Sequence, residues 1–237
     1  MRGHNLRLST FNTYNMNHFI DQIAECVENG KVNLTSPYPP QMKGQPGADE
    51  LTRQALDEGV APSDILNLAL VEAMNRVGQK YTENKIFVPQ MLLSAKAMSA
   101  SMVHLKPFFQ SGEVKRKGVV IMGTVMGDLH DIGKNLCCMM VEGAGWEVID
   151  LGVDVKSEKF IASLDTYPHA IVGLSALLTT TMVNMASIIA AIRQKYSETK
   201  VIVGGAPVNV DFAKKIEANG YGKDPQELIM WLKENVA

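Results

Sequence analysis

The stretch Gly118–Gly133, GVVIMGTVMGDLHDIG, decides the fold. Its opening, Gly118 to Gly123, is a short apolar run rich in β-branched residues, which reads as a buried strand. A loop containing glycine, Asp and His follows, and then a helix over 132–144. The same rhythm repeats downstream. Strands are expected at 146–151, 170–175 and 201–204, with a very short one near Tyr221. Helices are expected at 157–164, capped by Ser157, and at 180–196, 210–219 and 225–235. Short apolar strands alternating with helices imply a parallel sheet covered on both faces. Right-handed crossovers then make a doubly wound, five-stranded, flavodoxin-like α/β domain over 117–237.

Upstream of the polar linker Ser111–Lys117 the pattern is all-α. Phe19, Ile20, Ile23 and Val27 lie at helical spacing before Gly30. A connector with Pro37, Pro39, Pro40 and Pro46 interrupts regular structure. Leu51–Glu58 reads as a second helix, and Pro62-Ser63-Asp64 as the start of a third with an apolar face through Ile65, Leu66, Leu70, Met74 and Val77. Pro89 suits the first turn of a fourth, running through Met91, Ala95 and Met98. The expectation is a four-helix bundle domain over 17–112. Residues 1–16 are polar and lack periodicity, which predicts a disordered tail.

The chain has 237 residues and a formal net charge of -2, which gives no electrostatic case for nucleic acid or an anionic membrane. Its apolar runs are too short to span a bilayer. The three cysteines, Cys26, Cys137 and Cys138, read as free thiols of a reducing compartment. With no secretory signal in the first residues, a cytoplasmic location is expected.

In an open parallel sheet, ligands bind beyond the carboxyl ends of the strands. Three such ends are small, polar or glycine-rich: Thr124–Gly133, Ser175–Thr181 and Gly204–Pro207. The first holds His130 with Asp128 two positions before it, flanked by Gly127 and Gly133. Neutral imidazole ligates cobalt and similar metals, and a carboxylate on its other nitrogen fixes the tautomer. A lone histidine in such a loop also serves as an ordinary surface residue. The five histidines do not cluster in sequence, so a multi-histidine site is not indicated. A site with one protein ligand requires a metal whose other positions are filled already, as in a corrin.

The runs GDLHDIG, GLSALLTTTM and VGGAP, after VGQKYTENKIFVPQMLLSAKAM, resemble the cobalamin-binding module and helical cap of methionine synthase and of the corrinoid proteins of methyltransferase systems. The likeness covers about Leu51 to Leu232. It implies that His130 is the lower axial ligand to cobalt, replacing the vitamin's own base (base-off, His-on), and that Asp128 bonds His130. Thr181 stands where methionine synthase has a serine that completes the relay. It further implies cofactor contacts from Gly127, Leu129, Asp131, Ile132 and Gly133, and a slot for the nucleotide tail lined by Ser175, Leu177, Thr179, Gly204, Gly205 and Ala206. Gly204 and Gly205 also suit a tight strand-to-helix turn. Phe87 and Met91 are the residues expected over the upper face of the corrin, although a Met/Leu stripe also suits a bundle core.

The function implied is a methyl carrier cycling between cob(I)alamin and methylcobalamin. Its implied partners are a substrate-specific methyltransferase, an acceptor methyltransferase using tetrahydrofolate or a thiol, and a reductive activator. Methylamines, methanol, aryl methyl ethers and glycine betaine are the donor classes of such systems. The competing reading is a cobalamin-dependent sensor module; a nucleotide cradle is disfavoured because no Gly-x-Gly-x-x-Gly or phosphate-loop lysine is present. Cys137 and Cys138 lie within an apolar helical stretch and read as buried, inert thiols.

Overall fold

The computed structural model describes residues 4–235, with side chains from Met16 onward. The chain divides into two compact units, Met1–Lys115 and Arg116–Ala237.

The first unit is helical. Helix α1 (His4–Asn29) is followed by α2 (Ala48–Asp57), and α3 (Pro62–Asp64) runs through a π-helical stretch, Ile65–Val71, into α4 (Glu72–Thr82). Helix α5 (Val88–Gln110) closes the unit. Residues 4–16, expected as a disordered tail, form the first half of α1; residues 1–3 lie outside the described residues. The reason is the absence of Pro and Gly between His4 and Gly30, so a helix nucleated by the apolar stripe of 19–27 extends upstream without a breaker. The core joins Ile23, Val27, Leu51, Ile65, Leu70, Val77, Met91, Met98 and Leu105, all buried. One buried polar chain crosses it: Thr52 Oγ1 donates to Ser101 Oγ at 2.8 Å, and Ser101 donates to the Ala48 carbonyl.

The second unit is a five-stranded sheet in the order β2-β1-β3-β4-β5, every neighbouring pair parallel. Its strands are β1 (Val119–Thr124), β2 (Glu147–Asp150), β3 (Ile171–Ser175), β4 (Val201–Gly204) and β5 (Gly220–Gly222). Helices α6 (Ile132–Gly143) and α11 (Pro225–Asn235) pack together on one face. Helices α7 (Ser157–Thr166) and α9 (Asn184–Lys195) pack together on the other, over Ile121, Val172, Leu174 and Val203. Short α8 (Thr179–Met182) and α10 (Val210–Lys215) complete the crossovers. Alternation along β1 sends Ile121 to one core and Val120 and Met122 to the other, so both faces are covered and the strands read as continuous apolar runs.

Two local readings are corrected. Ser157 is the first residue of α7 rather than its cap; Lys156 holds the capping position with no side-chain bond. The helix expected as one piece at 180–196 is divided into α8 and α9. What positions the site is the strand order. The chain leaves β1 towards β2 on one side and returns to β3 on the other, so the loops after β1 and β3 diverge and open a crevice between them.

Candidate functional site

The loop after β1 is built around Asp128. The N–H of His130 donates to Asp128 Oδ1 at 3.1 Å, the turn that an Asp side chain makes with the residue two positions on. That same turn places His130 Nδ1 2.7 Å from Asp128 Oδ1. The other carboxylate oxygen faces the loop after β3. Thr181 Oγ1 donates to Oδ2 at 2.6 Å, the Leu177 N–H at 2.8 Å and the Leu178 N–H at 3.3 Å. Gly127, with φ +82, turns the chain into this arrangement through a conformation that glycine adopts freely.

Asp128 is fully buried, and burial alone would raise its pKa. The bonds from Thr181, Leu177 and His130 outweigh that effect and hold the carboxyl well below the usual carboxylate range. Asp128 is therefore an anion and an acceptor only. It follows that His130 Nδ1 carries the proton, and in the neutral ring Nε2 carries the free lone pair. Nε2 has no protein partner among the described residues, and the His130 side chain is 49% exposed. The result is an imidazole with one nitrogen fixed from behind and the other directed outward, the arrangement of a ligating histidine with its supporting carboxylate.

Beside it a cavity of about 580 Å³ runs between the sheet and helices α6 and α11, opening at the carboxyl ends of the strands. Leu129, His130, Asp131, Ile132, Gly133, Ser175, Leu177, Gly204, Gly205 and Ala206 all line it. Asp128 and Thr181 stand behind His130 rather than in the cavity, and Gly127 belongs to the turn. Thr179 is exposed in the first turn of α8 and does not line the cavity.

Gly205 has φ +119, and a Cβ there would lie 1.8 Å from the Ala176 carbonyl oxygen, so the glycine serves both the turn and the cavity wall. The helical unit holds Phe87 and Met91. Phe87, just before α5, is 63% exposed. Met91 is fully enclosed, on the α5 stripe with Ala95 and Met98, so it is a core residue and not an exposed face as expected.

Sequence reading missed the far wall of the cavity, formed by Lys223, Asp224, Pro225 and Leu228, and the floor at Met122 and Gly173. The rule for strand ends, applied to β5, would have found Lys223 and Asp224. It also missed Lys134, whose side chain is buried at the cavity with its Nζ donating to Asp150 Oδ2 and Asn135 Oδ1. Cys137 also lines the cavity. Burial pushes its thiol, and that of Cys138, up to about 12, and the Cys26 thiol to about 11. From an ordinary value of 9.0, this lowers the thiolate fraction of Cys137 about a thousandfold near neutral pH. A thiol-reactive dye is expected to label the folded chain slowly and all three cysteines rapidly in urea. Cys137 is only partly buried, against the expectation of two buried thiols, so rapid labelling at Cys26 or Cys138 in the folded chain would contradict their burial.

A family model described as a B12 binding domain matches residues 118–229, and a second with that description matches 45–106. A corrinoid protein of Desulfitobacterium hafniense is 37% identical over 185 residues, covering 76% of this chain and 86% of its own. The chain belongs to the corrinoid proteins. The trimethylamine corrinoid protein 1 of Methanosarcina acetivorans is 35% identical to this corrinoid protein over 186 residues, covering 77% and 86%. The dimethylamine corrinoid protein of Methanosarcina barkeri is 37% identical over 179 residues, covering 74% and 84%. Among solved structures, the methanol:cobalamin methyltransferase complex of Methanosarcina barkeri aligns with a TM-score of 0.77 at 28% identity, covering 92% of this chain and 80% of that one.

The residues present fit a corrin. Among the described residues no group of three or more His, Cys, Asp or Glu could hold a metal ion. Leu129 and Ile132 are 72% and 73% exposed, and Leu177 and Leu178 are exposed on the facing loop. Large apolar side chains beside a polar ligand suit a broad, largely apolar ring more than water. No described helix of this corrinoid protein is long and apolar enough to cross a membrane.

Proposed function

We propose that this chain is a methyl carrier between two methyltransferases, with His130 as the protein ligand of a base-off cobalamin. The observation that carries the reading is the Thr181–Asp128–His130 relay, aimed outward at the mouth of the cavity. When bound, the corrin supplies a cobalt centre that accepts a methyl group in its reduced form and releases it to an acceptor. The chain's own residues do the rest. Asp128 holds the proton on Nδ1, keeping Nε2 available to the metal. The ring is half exposed, so Nε2 lies open to the side where a cofactor would approach, while Asp128 holds Nδ1 from the far side. Thr181 and the Leu177 amide keep Asp128 anionic throughout. The cavity beside the ring takes the nucleotide arm, and Gly205 keeps its wall free of side chain.

Relatives named for trimethylamine and dimethylamine, and a structural neighbour that acts with methanol, favour a methylamine or methanol as the donor over an aryl ether. The partners are then a donor-specific methyltransferase, an acceptor methyltransferase and a reductant that restores the low-valent metal. Phe87 is exposed on the helical unit.

The test loads wild type and His130→Ala with hydroxocobalamin and reduces both to cobalt(II). Electron paramagnetic resonance should show coupling to one protein nitrogen in wild type and none in the variant. Identical spectra would remove the ligand assignment. Methyl uptake from a methylamine or methanol, in the presence of its methyltransferase, should then require the loaded wild-type chain.

A further inference from the structure

The ligand loop is also held from outside by a residue that the relay does not include. Beyond the last paired residues of β1 and β2, the chain continues alongside the loop: the Thr124 N–H donates to the Gly152 carbonyl at 3.0 Å, and the Val155 N–H donates to the Thr124 carbonyl at 2.9 Å. Between these rungs stands Asp154, in the left-handed region at φ +53. Its N–H donates to the Asp128 carbonyl at 3.0 Å, and its Oδ1 accepts from the Gly127 N–H at 2.7 Å. These are the N–H preceding Asp128 and the carbonyl of Asp128 itself. One residue therefore clips the main chain on both sides of the residue that orients His130.

The choice of amino acid is informative. A left-handed position favours glycine, and a side chain there costs energy that Asp and Asn bear best. Glycine would satisfy the backbone but would leave the Gly127 N–H without its carboxylate acceptor. Other ties of the loop are the Asp128 N–H donating to the Val125 carbonyl at 3.1 Å, Asn184 Nδ2 donating to the Met126 carbonyl at 2.8 Å, and buried Thr124 Oγ1 donating to the His130 carbonyl at 2.9 Å; none of them engages the Gly127 N–H. The Asp128 side chain keeps its own bonds to Thr181 and Leu177 whatever Asp154 does. Loss of the Asp154 carboxylate should therefore leave the fold in place while freeing the Gly127–Asp128 segment to drift.

We propose that Asp154 is a positioning residue for the cobalt ligand: its carboxylate on the Gly127 N–H fixes the main chain of Asp128 and so the aim of His130 Nε2. The inference rests on His130 being the ligand. Drift in the support is read as a lower share of metal bound to His130.

The experiment compares wild type, Asp154→Gly, Asp154→Asn and His130→Ala, each loaded with hydroxocobalamin and reduced to cobalt(II). The chain carries 15N-labelled histidine, which tells its nitrogen from that of the vitamin's own base, and the readout is the ratio of histidine-coupled to uncoupled signal. Hydrogen exchange of the Gly127 amide in the unloaded chain is a second readout. Asp154→Gly, which suits the left-handed backbone, should lower the ratio by roughly tenfold, the low end of what supporting residues of metal ligands contribute. It should also speed exchange at Gly127. Asp154→Asn retains a side-chain oxygen and tolerates the conformation, so it should restore most of both. A wild-type ratio in Asp154→Gly overturns the proposal, and so does an Asp154→Asn chain as impaired as Asp154→Gly. Histidine coupling that survives His130→Ala overturns the ligand assignment instead, which keeps the two failures distinguishable.

Discussion

Asp128→Ala is expected to destabilise the α/β unit by about 3 kcal/mol and to weaken cobalamin binding by roughly a hundredfold. The wild-type carboxylate is fully buried and accepts from the Thr181 hydroxyl, the Leu177 and Leu178 amides and both the N–H and ring of His130. Alanine strands those donors at once. Each buried donor left without an acceptor costs about 1–3 kcal/mol, and the loss falls short of their sum because exposed His130 can turn to water. The binding loss has a separate origin: without its acceptor Nδ1 no longer fixes the ring, and the tautomer with the lone pair on Nε2 is not selected. Urea unfolding of the unloaded chain and a spectrophotometric cobalamin titration measure the two parts. Near-wild-type values in both would show that the carboxylate is a bystander.

The same residue sets an acid limb. In the folded chain Asp128 binds a proton far less readily than in the unfolded chain. Its stabilising contribution is thus present above about pH 4, the ordinary range of a free carboxyl, and fades as pH falls below it. Asp128→Asn lacks this contribution. Its stability curve should lie below wild type near neutrality and converge with it in acid.

Gly205→Ala should be nearly as damaging, with a loss of about 3 kcal/mol from strain and clash together. The backbone there, at φ +119, is one that L residues rarely adopt, and the new Cβ would sit 1.8 Å from the Ala176 carbonyl oxygen. Neither partner is a flexible side-chain end; both are main chain at the carboxyl ends of neighbouring strands, so relief requires β3 and β4 to part at their tips. The cavity wall moves with them, so cobalamin affinity should drop by tenfold or more. The unfolding midpoint and the dissociation constant test this, and an alanine variant unchanged in both would show that the loop yields without cost.

Much of this was legible in the sequence because the periodic signal and the chemistry coincide at the strand ends. The run GVVIMG is too short and too branched for a helix, and the loop after it needed only the Asp-x-His spacing to suggest the relay. Thr181 was found through resemblance, not through spacing, since it acts across 53 positions of chain. Beyond the far wall of the cavity and Lys134, further features were not legible. Residues 4–16 form helix although they are polar, because absence of a breaker matters more than absence of a stripe when a neighbouring segment supplies the nucleus. Met91 was left between the corrin face and the bundle core, and it is core, sharing a face with Ala95 and Met98, a distinction periodicity alone does not make. Asp154 was passed over because a left-handed aspartate and its main-chain bonds leave no pattern in composition or hydropathy.

The π-helical stretch Ile65–Val71 bears on how such chains are compared. In an ordinary helix, removing one residue turns everything after it by about 100°, since each turn holds 3.6 residues, and a buried stripe becomes an exposed one. A wide turn already accommodates the surplus, so a cousin one residue shorter at this point could run as a plain helix and still present the counterparts of Met74 and Val77 inward. A single gap opened in the middle of a helix, ordinarily a sign of faulty alignment, would there be the correct way to keep the two chains in phase.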